Sequence, residues 1–509
     1  MNKKTSIAAL IESLLFYATN KLFLSDEDAL LARNNLLALF LLDEPEEESN
    51  VLAELQSEIL TPLVDLAIEA GLAKAEERLL FESKVMGLVT PAPSIVIGEF
   101  DYISARKGTQ AATDYLRELS IASNYIRMED IEKNIKWTAP GEQGDLIITI
   151  NLAKPEKDAK MIAKEAKMQS GYPKCMLCPT NMGYKGTLTR PPRHTLRIVP
   201  LFLNEEKWYL QYSPYVYYKD HIIALTAEHR PMVVGTDTFV ELLDFVELFP
   251  HFFCGSNAAL PIVGGSILSH EHFQGGGKGL PMLKRPARSD FTHKDFPKVK
   301  IQLLDWYNSV VRLCCTDSDE LISCASHFLD FWQGYSDESV NIIGSTGQVP
   351  HNTVTPIASI SNKEYILDLI LRNNRTDDKH PYGIFHPTEE AHNIKKEGIG
   401  LIEAMGIFIL PGRLNEEIKQ IATILQGKKP LDFKELSQDA MLEKHFNMIV
   451  QLANDNGCAL SSEDSFKVIT EYINETCRKI LECTAVFKNT KKGQDAFLQF
   501  INKAGCKNR

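Results

Sequence analysis

Several large protein classes are excluded by what this chain lacks. Ten cysteines in 509 residues fall far short of a disulfide scaffold. The close pairs Cys175/Cys178 and Cys314/Cys315 read as reduced thiols or ligands. No uncharged apolar run reaches about 18 residues, so no spanning helix and no membrane partner are expected. Charge at Glu12 cuts short the apolar run Ile7–Ile11, so no secretory signal is read and a cytoplasmic protein is expected. Basic residues are in deficit, 55 against 67 acidic ones, for a net charge of −12. That balance argues against a nucleic-acid partner, yet leaves room for a small anion in a local basic pocket. Three motifs are also missing. There is no G-x-S-x-G nucleophile elbow, no Walker A sequence and no G-x-G-x-x-G.

What is present is an ordinary globular composition, 44% hydrophobic and 24% charged, with length for about three domains. Residues 1–130 read as a helical region. Apolar positions recur at helical spacing from Ala29 to Phe40 and from Val51 to Ala67. The acidic stretch Asp43–Glu48 separates them as a solvated linker, and Pro91 and Pro93 mark a second break. From about residue 131 the texture changes to strands: Gly144–Leu152, Thr195–Pro200, Trp208–Tyr212 and His221–Thr226, followed by a helix over Thr238–Phe249. A first mixed block covers 131–280 and a second covers 281–412. The second contains the strand-like Asn352–Ile357 and the helix-like Ile394–Met405. Helical periodicity returns over 413–509, as in Phe433–Ala453 and Phe466–Leu481. The fold class expected is α+β, with helical segments at both ends.

Chemistry concentrates at His270-Glu271-His272-Phe273-Gln274, ahead of Gly275, Gly276 and Gly277. If this segment is extended, the side chains of His270, His272 and Gln274 point to one side, because strand side chains alternate. His272 is the candidate nucleophile. An imidazole with one nitrogen held as a donor and the other free can attack a phosphoryl group. Gln274 can then donate its amide N–H to the phosphoryl oxygens. The plain alternative is a strand end with two packed histidines.

Cys175-Met176-Leu177-Cys178 has the spacing that binds one tetrahedral zinc from a tight turn. A pair supplies half a shell, and His229 and His270 are the histidines placed to complete it. An incidental or redox pair is the competing reading. In the second block Lys395 and Lys396 can hold a phosphate as point charges, and a solvated helix start explains them equally well. His386 and His392 stand six residues apart, too loosely spaced for a metal.

At His270-x-His272-x-Gln274 the chain resembles the transferase branch of the histidine-triad superfamily. The wider match, through Cys175–Tyr184, Leu260–Gly276, Gly347–Ile357 and His392–Leu414, is similar to the second bacterial class of galactose-1-phosphate uridylyltransferases. The resemblance covers nearly the whole chain. It implies two histidine-triad-like units with antiparallel sheets, the first catalytic with a zinc site over 131–280, the second over 281–412. It implies UDP-glucose and galactose 1-phosphate as substrates, exchanged by ping-pong transfer through a uridylyl-histidine at His272. Gln274 would bond the phosphoryl oxygens; nucleotide-hydrolysing members carry a third histidine there. Cys175, Cys178, His229 and His270 match the family's zinc ligands. Gly265, Ser266 and Ser269 fall in its nucleotide-phosphate loop, and Asn257 matches a nucleotide contact. Lys396 and Glu403 resemble hexose-phosphate contacts. His351 falls near a second metal site of the better-known class, whose full ligand set is not found here. A homodimer is expected by the same resemblance.

Overall fold

The computed structural model describes residues 6–46, 53–153, 171–265 and 267–509. The chain divides into two compact units. The architecture is mixed α/β, with antiparallel sheets and with helices at both chain ends.

The first unit comprises Met1–Glu132, Lys157–Val216 and Asp220–Arg230. Among the described residues its longer helices are Ile7–Lys21, Asp26–Leu39, Ser57–Glu69, Arg78–Val89, Pro93–Lys107 and Thr109–Ala122. Local chemistry sets their starts. Ser6 and Ser25 accept from the backbone N–H groups of Ala9 and Asp28, and Asp26, Glu27 and Asp28 favour the positive end of the second helix. The expected proline break is present: one helix ends at Val89 and the next begins at Pro93. The buried Arg197 fixes that corner by donating to the carbonyls of Pro91 at 2.7 Å and Thr90 at 3.1 Å. Part of the expected acidic linker, Glu47 and Glu48, lies outside the described residues, as do Val51 and Leu52. Strands β3 (Val199–Leu203), β4 (Glu206–Tyr212) and β5 (Ile222–Thr226) pair antiparallel. The strand expected over Thr195–Pro200 therefore starts later. Its first residues are a loop in which Arg197 spends its donors on backbone carbonyls.

The second unit comprises Lys133–Glu156, Tyr217–Lys219 and Pro231–Arg509. A small sheet joins β1 (Ile135–Ala139) and β2 (Leu146–Asn151) antiparallel, and β2 then pairs parallel with β15 (Ile407–Pro411). In the main sheet of this unit, β6 (Phe252–Ser256) lies between β7 (His272–Gly277) and β13 (Asn352–Ser361). Outward from β13 follow β14 (Glu364–Asn373), β10 (Val310–Cys315), β9 (Phe296–Leu304), β8 (Ala287–His293) and β16 (Cys506–Asn508), all antiparallel. A short hairpin, β11 (Ser345–Thr346) and β12 (Val349–Pro350), precedes β13. Helices Thr236–Leu248 and Ser318–Gly334 pack on this sheet.

Two expected helices are shorter than their periodicity suggests. Over Ile394–Met405 only Leu401–Ala404 is helical, because Gly398 and Gly400 interrupt the stretch. Over Phe433–Ala453 a turn divides Phe433–Leu436 from Phe446–Asn456. Helix Ser462–Thr484 is longer than its apolar stripe, capped by Ser461. The core of this unit gathers Leu146, Ile148, Trp306, Tyr307, Ile357, Leu401 and Phe408 with the C-terminal helices. Trp306 and Asn308 both donate to the Ala404 carbonyl, at 2.9 and 3.0 Å, and so fix the short helix that carries Glu403.

Candidate active site

His272 opens β7, and Gln274 stands two residues along it, directly across from Gly255 on β6. That spacing puts His272 and Gln274 on one face of the strand. His270 lies outside the strand: the chain bends at Ser269 and His270, and regular pairing begins at His272. The strand thus takes in two of the three residues.

The imidazole of His272 is buried, and its Nδ1 lies 2.8 Å from the carbonyl oxygen of His270. A carbonyl can only accept, so Nδ1 carries the proton and Nε2 carries the lone pair. Burial pushes the imidazole down to about 4, helped by the neighbouring His270 and opposed by the bond to its carbonyl. The ring is neutral at physiological pH and its tautomer is fixed by the backbone. Gly255 is needed opposite Gln274. A Cβ there would sit 2.6 Å from Leu401 Cδ1 and 2.9 Å from the Pro356 carbonyl oxygen.

His270 belongs to a second grouping. Ligand atoms of Cys175, Cys178, His229 and His270 all lie within 4.8 Å of one another. The two sulfurs are 3.5 Å apart, and Cys178 Sγ is 3.2 Å from His229 Nδ1. A disulfide would bring the sulfurs to about 2.05 Å, so these are two free thiols. Tetrahedral zinc, with Zn–S about 2.3 Å and Zn–N about 2.0 Å, needs ligand–ligand edges of roughly 3.3–3.8 Å. The cluster fits that ion in number, chemistry and spacing. The turn is folded for it: Asn181 donates from Nδ2 to the carbonyls of both Cys175 and Cys178, at 2.8 and 2.9 Å.

A third grouping lies where β6 ends. Asn257 accepts at Oδ1 from the Leu401 backbone N–H at 2.8 Å, and a Cβ on Gly265 would lie 2.8 Å from its Nδ2. A Cβ on Gly400 would meet Asn257 Oδ1 at 3.1 Å and Glu403 Oε2 at 3.6 Å. Asn257, Gly265 and Glu403 are therefore neighbours, though 146 residues separate the first from the last. Lys395 forms the ion pair with Glu403, at 3.0 Å, and also donates to the Ile409 carbonyl at 3.1 Å. Lys396, the lysine expected here, is exposed, as is Ser269. Ser266 lies outside the described residues. His351 bonds Asn374 Oδ1 through Nδ1 and Thr346 Oγ1 through Nε2, at 3.1 and 2.9 Å. Two groups had no signal in one-dimensional spacing. Lys395 was distinguishable from Lys396 only by burial, and the buried Arg372 sits near the end of β14.

Among the described residues no single helix is long and apolar enough to cross a membrane. A family model described as galactose-1-phosphate uridyl transferase, N-terminal domain, matches residues 39–231. A galactose-1-phosphate uridylyltransferase of Caldanaerobacter subterraneus subsp. tengcongensis is 46% identical over 507 residues, covering 98% of each chain. The protein of that name from Bacillus subtilis is 43% identical over 509 residues, covering 99% of this chain and 98% of its own. Among solved structures, yeast Ap4A phosphorylase Apa2 is similar over 57% of this chain and 83% of its own, with 10% identity and a TM-score of 0.29.

Proposed function

The chain belongs to the galactose-1-phosphate uridylyltransferase family, and from that premise we propose how its residues divide the work. The protein is a nucleotidyltransferase that moves a uridylyl group from UDP-glucose to galactose 1-phosphate. Nε2 of His272 attacks the α-phosphorus, an N–P bond forms, and the P–O bond to glucose 1-phosphate breaks. A phosphate oxygen of galactose 1-phosphate then attacks the same phosphorus. The N–P bond breaks, UDP-galactose leaves, and the imidazole is neutral again.

One observation carries this reading: the buried, neutral His272 whose Nδ1 is held by the His270 carbonyl. A nucleophile needs an available lone pair, and this backbone bond leaves it on Nε2. Gln274, two residues on, supplies amide donors to the phosphoryl oxygens as they gain charge. Each leaving group is a sugar phosphate, stable as an anion near neutral pH, so no acid is needed to protonate it. Cys175, Cys178, His229 and His270 would hold one zinc ion, which with four protein ligands supplies structural order. Asn257, Gly265, Ser266 and Ser269 are assigned to the nucleotide, and Glu403, with Lys395 or Lys396, to the hexose phosphate. Two histidine-triad-like units and a homodimer complete the reading, on the strength of the family resemblance.

The test uses UDP-glucose labelled in the uridylyl group, without acceptor. Acid-labile, base-stable label is expected on the protein, discharged by galactose 1-phosphate and absent from His272→Gly. Label recovered only as UMP would instead indicate a hydrolase. Binding without turnover would indicate a non-catalytic nucleotide-binding protein.

A further inference from the structure

Three buried arginines in this chain are treated differently. Arg197 is saturated, giving its donors to the carbonyls of Pro91, His194, Leu196 and Thr90. Arg312 meets Asp368 through two parallel bonds, at 2.6 and 2.8 Å. Arg372, only 1% exposed, makes one bond, from Nη2 to the Ile399 carbonyl at 2.7 Å. Its Nε and Nη1 have no partner. A buried cation with two unused donors is costly, and native structures keep such groups for a reason.

Its surroundings indicate the reason. Glu403 is near enough for its charge to act on Arg372 but makes no bond to it; burial dominates and pushes the guanidinium down to about 10. Glu403 is already bound by Lys395. His386 also feels Arg372, and its Nδ1 is buried without a partner. Arg372 therefore borders the grouping of Asn257, Gly265, Gly400 and Glu403. Nε and Nη1 of one guanidinium form a planar fork that matches two oxygens of a phosphate.

We propose that Arg372 binds the phosphoryl group of the hexose 1-phosphate, building on the uridylyltransferase reading above. The fork is covered in the structure. The segment Pro261–Gly265 lies against the loops that hold Gly383 and Gly398, the latter next to Ile399: a Cβ on Gly398 would lie 3.0 Å from the Ile262 carbonyl oxygen, and one on Gly383 would lie 3.2 Å from Ile262 Cγ2. Ile262 holds φ +73°, a left-handed conformation that is costly for a β-branched residue. An incoming phosphate reaches the buried fork only when a covering segment moves.

The experiment measures binding of galactose 1-phosphate, galactose and UMP to the full chain and to Arg372→Gln and Arg372→Lys, with thermal unfolding of each. Wild type should bind galactose 1-phosphate well and galactose poorly. Arg372→Gln should weaken galactose 1-phosphate by ~10- to 100-fold, the range for a lost charge-assisted hydrogen bond. UMP binding should stay within about twofold and Tm should not fall. Arg372→Lys should be intermediate, since an ammonium keeps the charge but not the fork. In the unsubstituted protein, an arginine Nε–H resonance absent from Arg372→Lys should shift on addition of galactose 1-phosphate and not of UMP. Unchanged galactose 1-phosphate affinity overturns the assignment, as does weakening of both ligands or of UMP alone. A wild-type protein that does not bind galactose 1-phosphate would instead sink the uridylyltransferase reading.

Discussion

In the proposed mechanism, Gln274 is the residue on which the choice between transfer and hydrolysis turns. An amide can donate to phosphoryl oxygens but cannot deliver a proton at neutral pH, so a poor leaving group or an attacking water gains little from it. Gln274→His introduces a group that can do both. We expect acceptor-independent release of UMP from UDP-glucose to rise by about a hundredfold, the low end of acid–base contributions. Equal UMP release by variant and wild type, followed chromatographically, would remove that role from Gln274. The common strand face of His272 and Gln274 was legible from alternation alone, because both lie on β7. The part of His270 was not legible from alternation: it lies in a bend before the strand begins. Lys395 and Lys396 show the same limit. They are adjacent and identical in type, yet Lys395 pairs with Glu403 while Lys396 is exposed.

At the scale of elements, the turn Cys175–Cys178 is a small structure tied from outside by one side chain. Asn181 ties its carbonyls, and the sulfurs face His229 and His270. Removing one thiolate leaves three ligands and opens the shell. Cys175→Ser should take metal content from about one zinc per chain to a small fraction of that, and should lower Tm, while the neutral tautomer of His272 persists through the His270 carbonyl. Full zinc occupancy of the variant, read by elemental analysis after dialysis, would withdraw Cys175 as a ligand. Helical periodicity was a good guide where helices are long and capped, as in Ser462–Thr484. It misled where apolar spacing continued through a break, as in Phe433–Ala453 and Ile394–Met405. Glycines and packing against Trp306 decide the path there.

Over the molecule, the C-terminal helices carry a buried charge cluster far in sequence from the nucleophile. Burial pushes Glu417 up, but bonds from His445 and Lys444 and the charge of Arg413 outweigh it and hold the carboxyl at about 2. His445 Nε2 is 2.9 Å and Arg413 Nη1 is 2.7 Å from Glu417 Oε2. A carboxyl held below its ordinary value stabilises the fold while it is ionised. Its contribution is complete above about pH 4.5 and is lost as pH falls towards about 2. Glu417→Gln should cost about 1–3 kcal/mol near pH 7, the range for bonds to a charged group. The difference from wild type should narrow as pH drops below about 4.5 in denaturant titrations. A difference that stays constant down to pH 3 would remove Glu417 from the acid response.

By itself the sequence determined the family, and it presented the groups on which the proposed chemistry rests: a histidine and a glutamine alternating on one strand and a thiol pair with metal spacing. Such information survives in one dimension because short-range spacing sets which atoms a strand or turn can present together. The tertiary structure decided which distant residues share a site. Asn257 meets Gly400 and Glu403 only because β6 lies beside β13 and the Leu401–Ala404 helix is pinned by Trp306 and Asn308. It also decided which charges are buried. That depends on the whole packed core, and it separates Lys395 from Lys396 and leaves Arg372 with donors to spare.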